Sequence, residues 1–330
     1  MLRFIIRRIL FLIPVMLGVI TIVFILTAIT PGDPVDSLVL EGTSEKVKEE
    51  LRIELGLDKP LPVRYVRYIV NLVTKGDIGN SYKSKQPVWD ELMFRFPTTL
   101  KLAFFSLIVS IIVGLPLGIA SAVKQYSWLD SGSRVVSLVI VSVPQFWLGL
   151  MLILVFSREL GWLPSFGIQN PLGWILPVAA LGLGSAANIA RISRSSMLDV
   201  VRQDYIRTAR AKGQKESTVM LHHGLRNALI PIITNIGGQL GASLGGAVTI
   251  ETVFSVSGIG KYMLDALAAR DYPVVQGGVL FLALVFSVVN LLVDIAYAFI
   301  DPRIKARYKA RGISRKKRRQ LYEQMNLQEV

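Results

Sequence analysis

Six long apolar stretches leave this chain few ways to fold. Crossing about 30 Å of hydrocarbon takes roughly 20 helical residues, and a run of that length has no soluble solution short of burial on all sides. The first run, Ile9 to Ile29, holds 21 residues without a charge. Five more follow: Leu102 to Val123, Val135 to Ser157, about Leu172 to Ala190, Asn227 to Ile250, and Tyr272 to Ile300, the last containing one acid, Asp294. With 52% of its residues hydrophobic, the chain has a bilayer as its natural solvent. The expected fold class is an all-α integral membrane protein with six transmembrane helices.

The N-terminus begins like a secretion signal, with Arg3, Arg7 and Arg8 before an apolar run. That run is longer than a signal core, and no small-residue cleavage site precedes Pro31-Gly32-Asp33-Pro34, so it is read as an uncleaved first span. Orientation follows from Lys and Arg in alternate segments. With the N-terminus in the cytoplasm, the inner segments carry 23 and the outer ones 13, ten of which lie in one long loop where such counts weigh little. Both termini are therefore expected inside.

The long outer segment, Thr30 to Pro97, carries local signals of its own. Ser44 to Leu55 is a charged helix candidate with Ser at the cap, and Pro60 and Pro62 open a second helix running to about Thr74. It reads as a small extracytoplasmic cap. The tail beyond Asp301-Pro302 is different: Arg315 to Arg319 is a continuous basic run, expected to anchor on lipid headgroups rather than on nucleic acid.

Enzyme signatures are thin. There is no cysteine, which excludes disulfides, thiolate metal sites and cysteine nucleophiles. His222 and His223 are neighbours that point about 100° apart on a helix, so they do not clasp one metal as an i, i+4 pair would. Neither a phosphate-binding G-x-x-x-x-G-K-[ST] loop nor a G-x-S-x-G elbow is present. No catalytic or metal-ligating residue is assigned. Any nucleotide chemistry belongs to another chain.

Polar residues inside the spans are few: Gln145, Asn188, Asn235, Gln239, Asn290 and Asp294. A carrier driven by an ion gradient usually places several acids at mid-membrane. Here Asp294 stands alone, about two turns from the inner end of its helix, where pairing with an interfacial Lys or Arg is expected. The fifth span carries Gly237, Gly241 and Gly245 four apart, a stripe that lets another helix approach closely. Gln145, Asn188, Asn235 and Gln239 are the candidate lining of a solute path.

The most informative stretch lies between the fourth and fifth spans. Asp199 to Gly213 reads as one amphipathic helix, with Val201, Tyr205 and Ile206 on an apolar side and Arg202, Arg207, Arg210 and Lys212 on a basic side. Ala209 and Gly213, four apart, leave a shallow place where a partner could press against the backbone. The two readings are a helix lying on anionic lipid and a docking helix for a soluble motor.

The run Asp204-Tyr205-Ile206-Arg207-Thr208-Ala209-Arg210-Ala211-Lys212-Gly213, followed by Leu225-Arg226-Asn227-Ala228-Leu229-Ile230-Pro231, resembles the cytoplasmic loop of the peptide-transport permeases of ABC importers, the DppB or OppB type. Val143-Pro144-Gln145-Phe146-Trp147-Leu148-Gly149, Glu251-Thr252-Val253-Phe254-Ser255, Ala269-Arg270-Asp271-Tyr272-Pro273-Val274-Val275-Gln276, Asp301-Pro302-Arg303 and Gly76-Asp77-Ile78-Gly79 are similar to that family too, in order and over nearly the whole chain. The general coupling pattern of such importers is Glu-Ala-Ala, three residues, Gly, nine residues, then Ile-x-Leu-Pro. Laid on Gly213 it falls on Arg207, Thr208 and Ala209, and ends on His223, Gly224, Leu225 and Arg226. The glutamate, one alanine, the isoleucine and the proline are unmatched.

The resemblance implies a type I importer permease fold in the prokaryotic cytoplasmic membrane. The expected parts are a first span at 1–30, an extracytoplasmic segment at 31–97, a five-helix core at 98–301 with a coupling helix at about 199–216, and a basic tail at 302–330. It implies a subunit that is not itself an enzyme. Its partners would be a second homologous permease, one or two ATPase subunits that use ATP and Mg, and an extracytoplasmic binding protein, with no cofactor in this chain. The coupling helix would comprise Asp204, Tyr205, Arg207, Thr208, Ala209, Ala211 and Gly213. Di- or oligopeptides are the expected solute; nickel chelate, glutathione and oligosaccharide are alternatives within the class, and a stand-alone secondary transporter is the alternative outside it.

Overall fold

A computed structural model describes residues 2–300 of the chain, so Asp301-Pro302-Arg303 and the basic tail lie outside the described residues. Among those residues every extended regular element is a helix. The first span is α1 (Leu2–Ile29). The segment after it folds into one turn at Pro34–Leu38, then α2 (Glu45–Glu54) and α3 (Leu61–Lys75). Ser44 takes the cap position of α2, but its side chain makes no capping hydrogen bond. Gly76, with φ +64°, ends α3 in the left-handed conformation that glycine adopts without steric cost.

The second span starts earlier than expected. Helix α4 (Val88–Val123) is 36 residues long and takes in the last ten residues of the expected outer segment, with Pro87 at its cap and Pro97 and Pro116 inside it. The expected third span is not one helix. It begins as α5 (Trp128–Ser142), turns by 105°, and resumes as α6 (Gln145–Leu152), which runs on through a wide turn at Ile153–Glu159. Pro144 is the cause: its ring disfavours helical geometry at the preceding residue, and Val143 accordingly sits at φ −83°, ψ 131°.

A tight turn at Pro171–Trp174 leads into α7 (Ile175–Val201). Arg202 and Gln203 then break the chain, so the amphipathic helix is the shorter α8 (Asp204–Ala211), and Asp199 to Val201 belong to α7. After a helical turn at Glu216–Thr218 and a wide turn at Val219–Gly224, the remaining helices are α9 (Leu225–Val253), α10 (Ile259–Ala268) and α11 (Tyr272–Ile300). Among the described residues four helices are long and apolar enough to cross a membrane, within α1, α4, Pro171–Val201 and α11, and the α5–α6 pair, bent by 105°, adds a fifth if it is counted as one span. Helix α9, the remaining expected span, is 29 residues long. Rich in glycines and amides, it is not one of these four, and it packs against α4, α7 and α11.

Packing is set by small residues. A Cβ on Gly114 or Gly118 would stand 2.4 Å from the carbonyl oxygens of Ala186 and Ala190, so α4 and α7 cross with their backbones in contact. Part of the stripe in α9 works the same way. Gly237 and Gly241 face Val293 and Phe286 of α11, whereas Gly245 faces open space. Asp294 is paired by Arg8 of α1, Nη1 to Oδ2 at 2.5 Å, which neutralises the one acid of the last span across two helices.

Candidate functional site

Helix α8 is held from below and open above. Ile206 is fully buried and Ala209 nearly so, in a small cluster with Val219 and, at its edge, Val200. Ala209 is therefore a packing residue rather than an exposed seat for a partner. Gly213 acts differently. With φ +72° it ends the helix, its N–H bonding to Arg210 O and that of Gln214 to Ala209 O, which satisfies the last carbonyls. The Tyr205 hydroxyl accepts a hydrogen bond from Asn227 Nδ2 at 3.0 Å, tying α8 to the first turn of α9. Arg210 grips Glu216 through two hydrogen bonds of 2.7 and 3.1 Å, and this pairing holds the Glu216 carboxyl below its usual range.

The opposite face of α8 is Asp204, Arg207, Thr208 and Ala211, spaced three and four apart and all exposed. Arg207 makes only a 3.6 Å ion pair with Asp204, and both are solvated. Above the packed face sits a second cluster of Ala122, Met197, Met220, Ala228 and Ile232, drawn from α4, α7, the turn before α9, and α9. The two clusters share Val200 of α7, and α8 reaches α9 through Tyr205 and the segment at Val219–Gly224.

An unforeseen clamp lies at the same end. Asp130, the third residue of α5, is fully buried and receives both Arg194 Nε (2.6 Å) and Nη2 (2.9 Å), as well as Ser121 Oγ (2.6 Å) and the Tyr126 N–H (2.9 Å). It joins the end of α4, the start of α5 and the last third of α7. The opposite end has two comparable knots. Glu251 is fully buried, accepts from Thr99 Oγ1 at 2.6 Å, and caps α10 through the N–H groups of Gly260 (2.7 Å) and Lys261 (3.1 Å). Asp271 accepts from Ser81 Oγ (2.5 Å) and the Tyr82 N–H (2.9 Å), holding the stretch of chain before α4 against the start of α11. Each carboxylate is buried yet satisfied, the condition under which such groups persist in a low-dielectric interior.

Between these ends α5, α6, α7 and α9 enclose an open cavity of about 420 Å³. Three of the four expected path residues line it: Gln145, Asn188 and Gln239, joined by Arg191, Ser185 and Ser243. Gln145 follows the bend at Pro144, and its Nε2 reaches Leu181 O at 3.5 Å; Asn188 Oδ1 accepts from Arg191 Nη2 at 3.2 Å. Asn235 does not line the cavity, and its Oδ1 is buried without a hydrogen-bond partner. Side-chain amides and hydroxyls in a membrane-embedded cavity can exchange hydrogen bonds with the amides of a polar solute and release them again. His222 and His223 stand apart from it, their rings edge to face at 5.1 Å, with His223 bonded to Gln214.

Comparison with known proteins agrees with this geometry. Residues 114–306 match the family model described as binding-protein-dependent transport system inner membrane component, and residues 1–103 match that of the corresponding N-terminal part. The chain is 43% identical to the dipeptide transport system permease protein DppB of Alkalihalophilus pseudofirmus over 92% of its own length and 100% of the relative's. It is 45% identical to the glutathione transport system permease protein GsiC of Pectobacterium atrosepticum, and 44% to that of Escherichia coli strain K12, over 92% of this chain and 99% of each relative. Among solved structures, the inward-facing MetNI methionine ABC transporter shares the fold at a TM-score of 0.56 and 19% identity, over 64% of this chain and 96% of that one. An amino acid ABC transporter does so at 0.51 and 18%, over 65% and 94%. The chain belongs to the binding-protein-dependent transport system inner membrane components, as a permease subunit of the DppB type.

Proposed function

We propose that this permease conducts di- or oligopeptides through the cavity lined by Gln145, Asn188 and Gln239. The observation that carries the solute class is the likeness to a dipeptide permease over that protein's whole length. It is supported by a lining in which the amides of Gln145, Asn188 and Gln239 and the hydroxyls of Ser185 and Ser243, beside Arg191 and apolar side chains, can meet peptide bonds. Glutathione, itself a small peptide, is the second reading, favoured by the GsiC relatives.

The work comes from elsewhere. ATPase subunits, binding ATP and Mg, dock on the exposed face of α8 formed by Asp204, Arg207, Thr208 and Ala211, and a second homologous permease completes the path. Closure of the motors moves α8 as a unit with α7 and α9, because Ile206, Ala209 and Tyr205 fasten it to them. Alternating access follows if the motors bind one arrangement of these helices better than the other. Both termini and α8 lie in the cytoplasm. The end bearing α2 and the Asp271 knot faces a solute-binding protein outside.

The test is to purify the chain from its native membrane in mild detergent, identify stoichiometric companions by mass spectrometry, and measure uptake of labelled dipeptide and of glutathione in vesicles. Recovery of a second permease with P-loop ATPases, and ATP-dependent dipeptide uptake, is the expected result. ATP-independent uptake by this chain alone would overturn the reading.

A further inference from the structure

Helix α3 has two apolar surfaces, and only one of them is packed. Tyr65, Tyr68, Ile69 and Leu72 lie against the cluster that contains Ile20, Leu92, Val274 and Phe281. Val63, Val66, Val70 and Val73 recur at intervals of three and four, forming a separate stripe about 120° around the helix, and they are 46, 57, 49 and 74% exposed. Arg64, Arg67, Asn71, Thr74 and Lys75 occupy the third sector. A helix standing in water would not carry four apolar side chains in line on a solvent face.

The position of α3 supplies the reason. The Tyr65 hydroxyl shares a 2.7 Å hydrogen bond with Thr21 Oγ1, and its ring meets that of Phe24 at 5.2 Å. Thr21 belongs to the uncharged run of α1 and precedes its last residue, Ile29, by eight positions. At 1.5 Å per residue, the contact lies about 12 Å inside the end of the span. Further along, Leu72 and Gly76 join Met16 and Ile20 of α1 and Leu280, Phe281 and Leu284 of α11 around an open cavity of about 510 Å³ with no charged residue in its lining. The adjoining surfaces of the spans, at Ile22, Ile25 and Leu26 on α1 and Leu284 and Val288 on α11, are exposed and apolar as well. The valine stripe thus lies on a helix packed along spans whose own exposed surfaces are apolar.

We propose that α3 is inserted in the membrane leaflet at its end of the bundle, with lipid acyl chains covering Val63, Val66, Val70 and Val73 and filling the groove beside Leu72. Of the segment between the first two long helices, α2 and the turns around it stand in water, while α3 widens the embedded body of the protein.

The absence of cysteine from the chain makes the test direct. Val66→Cys, Val70→Cys and Val73→Cys variants are each given a nitroxide label in the assembled transporter, with its partner subunits made cysteine-free, in phospholipid nanodiscs. Lys46→Cys on α2 serves as the aqueous reference. Relaxation by dissolved oxygen is compared with relaxation by a water-soluble nickel chelate. All three valine positions are expected to favour oxygen several-fold more than the reference and to be shielded from nickel. Strong relaxation by nickel would place the stripe in water. Weak relaxation by both would mean that another protein surface covers it. Either overturns the proposal, and retained solute uptake in the variants confirms that the labels report on folded protein.

Discussion

Two short amphipathic helices flank the bundle at opposite ends, and their exposed faces are chemically unlike. Helix α3 shows a row of valines; α8 shows Asp204, Arg207, Thr208 and Ala211. Both bury an apolar side against the long helices, so amphipathicity alone does not separate them. The difference lies in the free face. An uncharged, β-branched face is stable where water is absent, whereas a polar face with one small residue suits a protein partner that arrives through water. Their attachments differ too. Helix α3 rests on α1 and the wide cluster that also joins α4, α10 and α11, near the knots of Glu251 and Asp271. Helix α8 hangs on one small cluster, one tyrosine bond and a surface ion pair.

The largest expected effect follows from that contrast. Ile206→Ala removes the main buried side chain of α8 and should cost about 2–5 kcal/mol of local stability. Amide hydrogen exchange would report it as lost protection across residues 204–211, with α3 unchanged. Val70→Asp places a charge on the free face of α3 and should lower stability in lipid by about 1–3 kcal/mol, read from the thermal midpoint in nanodiscs. A stripe that stood in water would tolerate the change within about 0.5 kcal/mol. Gly213→Ala forces an L side chain into the left-handed region and should cost about 1–2 kcal/mol, fraying the last turn of α8 in the same exchange measurement.

The smallest effect is a pH dependence. The Arg210 hydrogen bonds lower the folded-state pKa of Glu216 from its ordinary 4.5. Its contribution is therefore complete above about that value and is lost as pH falls through the lowered one. Because both side chains are well exposed, it amounts to no more than about 0.5 kcal/mol. A Glu216→Gln variant should lack this acid-side loss in α8 protection, while α3 shows none in either protein.

The apolar runs made the long helices legible, and Pro60 and Pro62 marked where α3 begins. The break in the third span was present as Val143-Pro144 within a stretch whose apolarity continued across it, so hydropathy hid what backbone sterics imposed. The start of α8 was obscured in the same way, by a helical periodicity that carries on through Arg202 and Gln203. Ala209 and Gly213 share a spacing but not a role, because burial and a positive φ are tertiary and local facts respectively. Asp130, Glu251 and Asp271 left little trace in the sequence. Thr99 lies 152 positions from Glu251 and Ser81 190 from Asp271, and only the folded bundle brings these together. Glu251 and Asp271 stood only within stretches similar to the family, with no sign of what they hold, and Asp130 stood in none.

The docking role of α8 is tested most directly by a photoreactive amino acid at Ala211, on its free face, in cells that express the whole transporter. The account predicts an adduct with an ATP-binding subunit, and none with such a subunit from Val70 of α3. An Ala211 adduct with lipid alone, or with no macromolecule in the assembled complex, would contradict it.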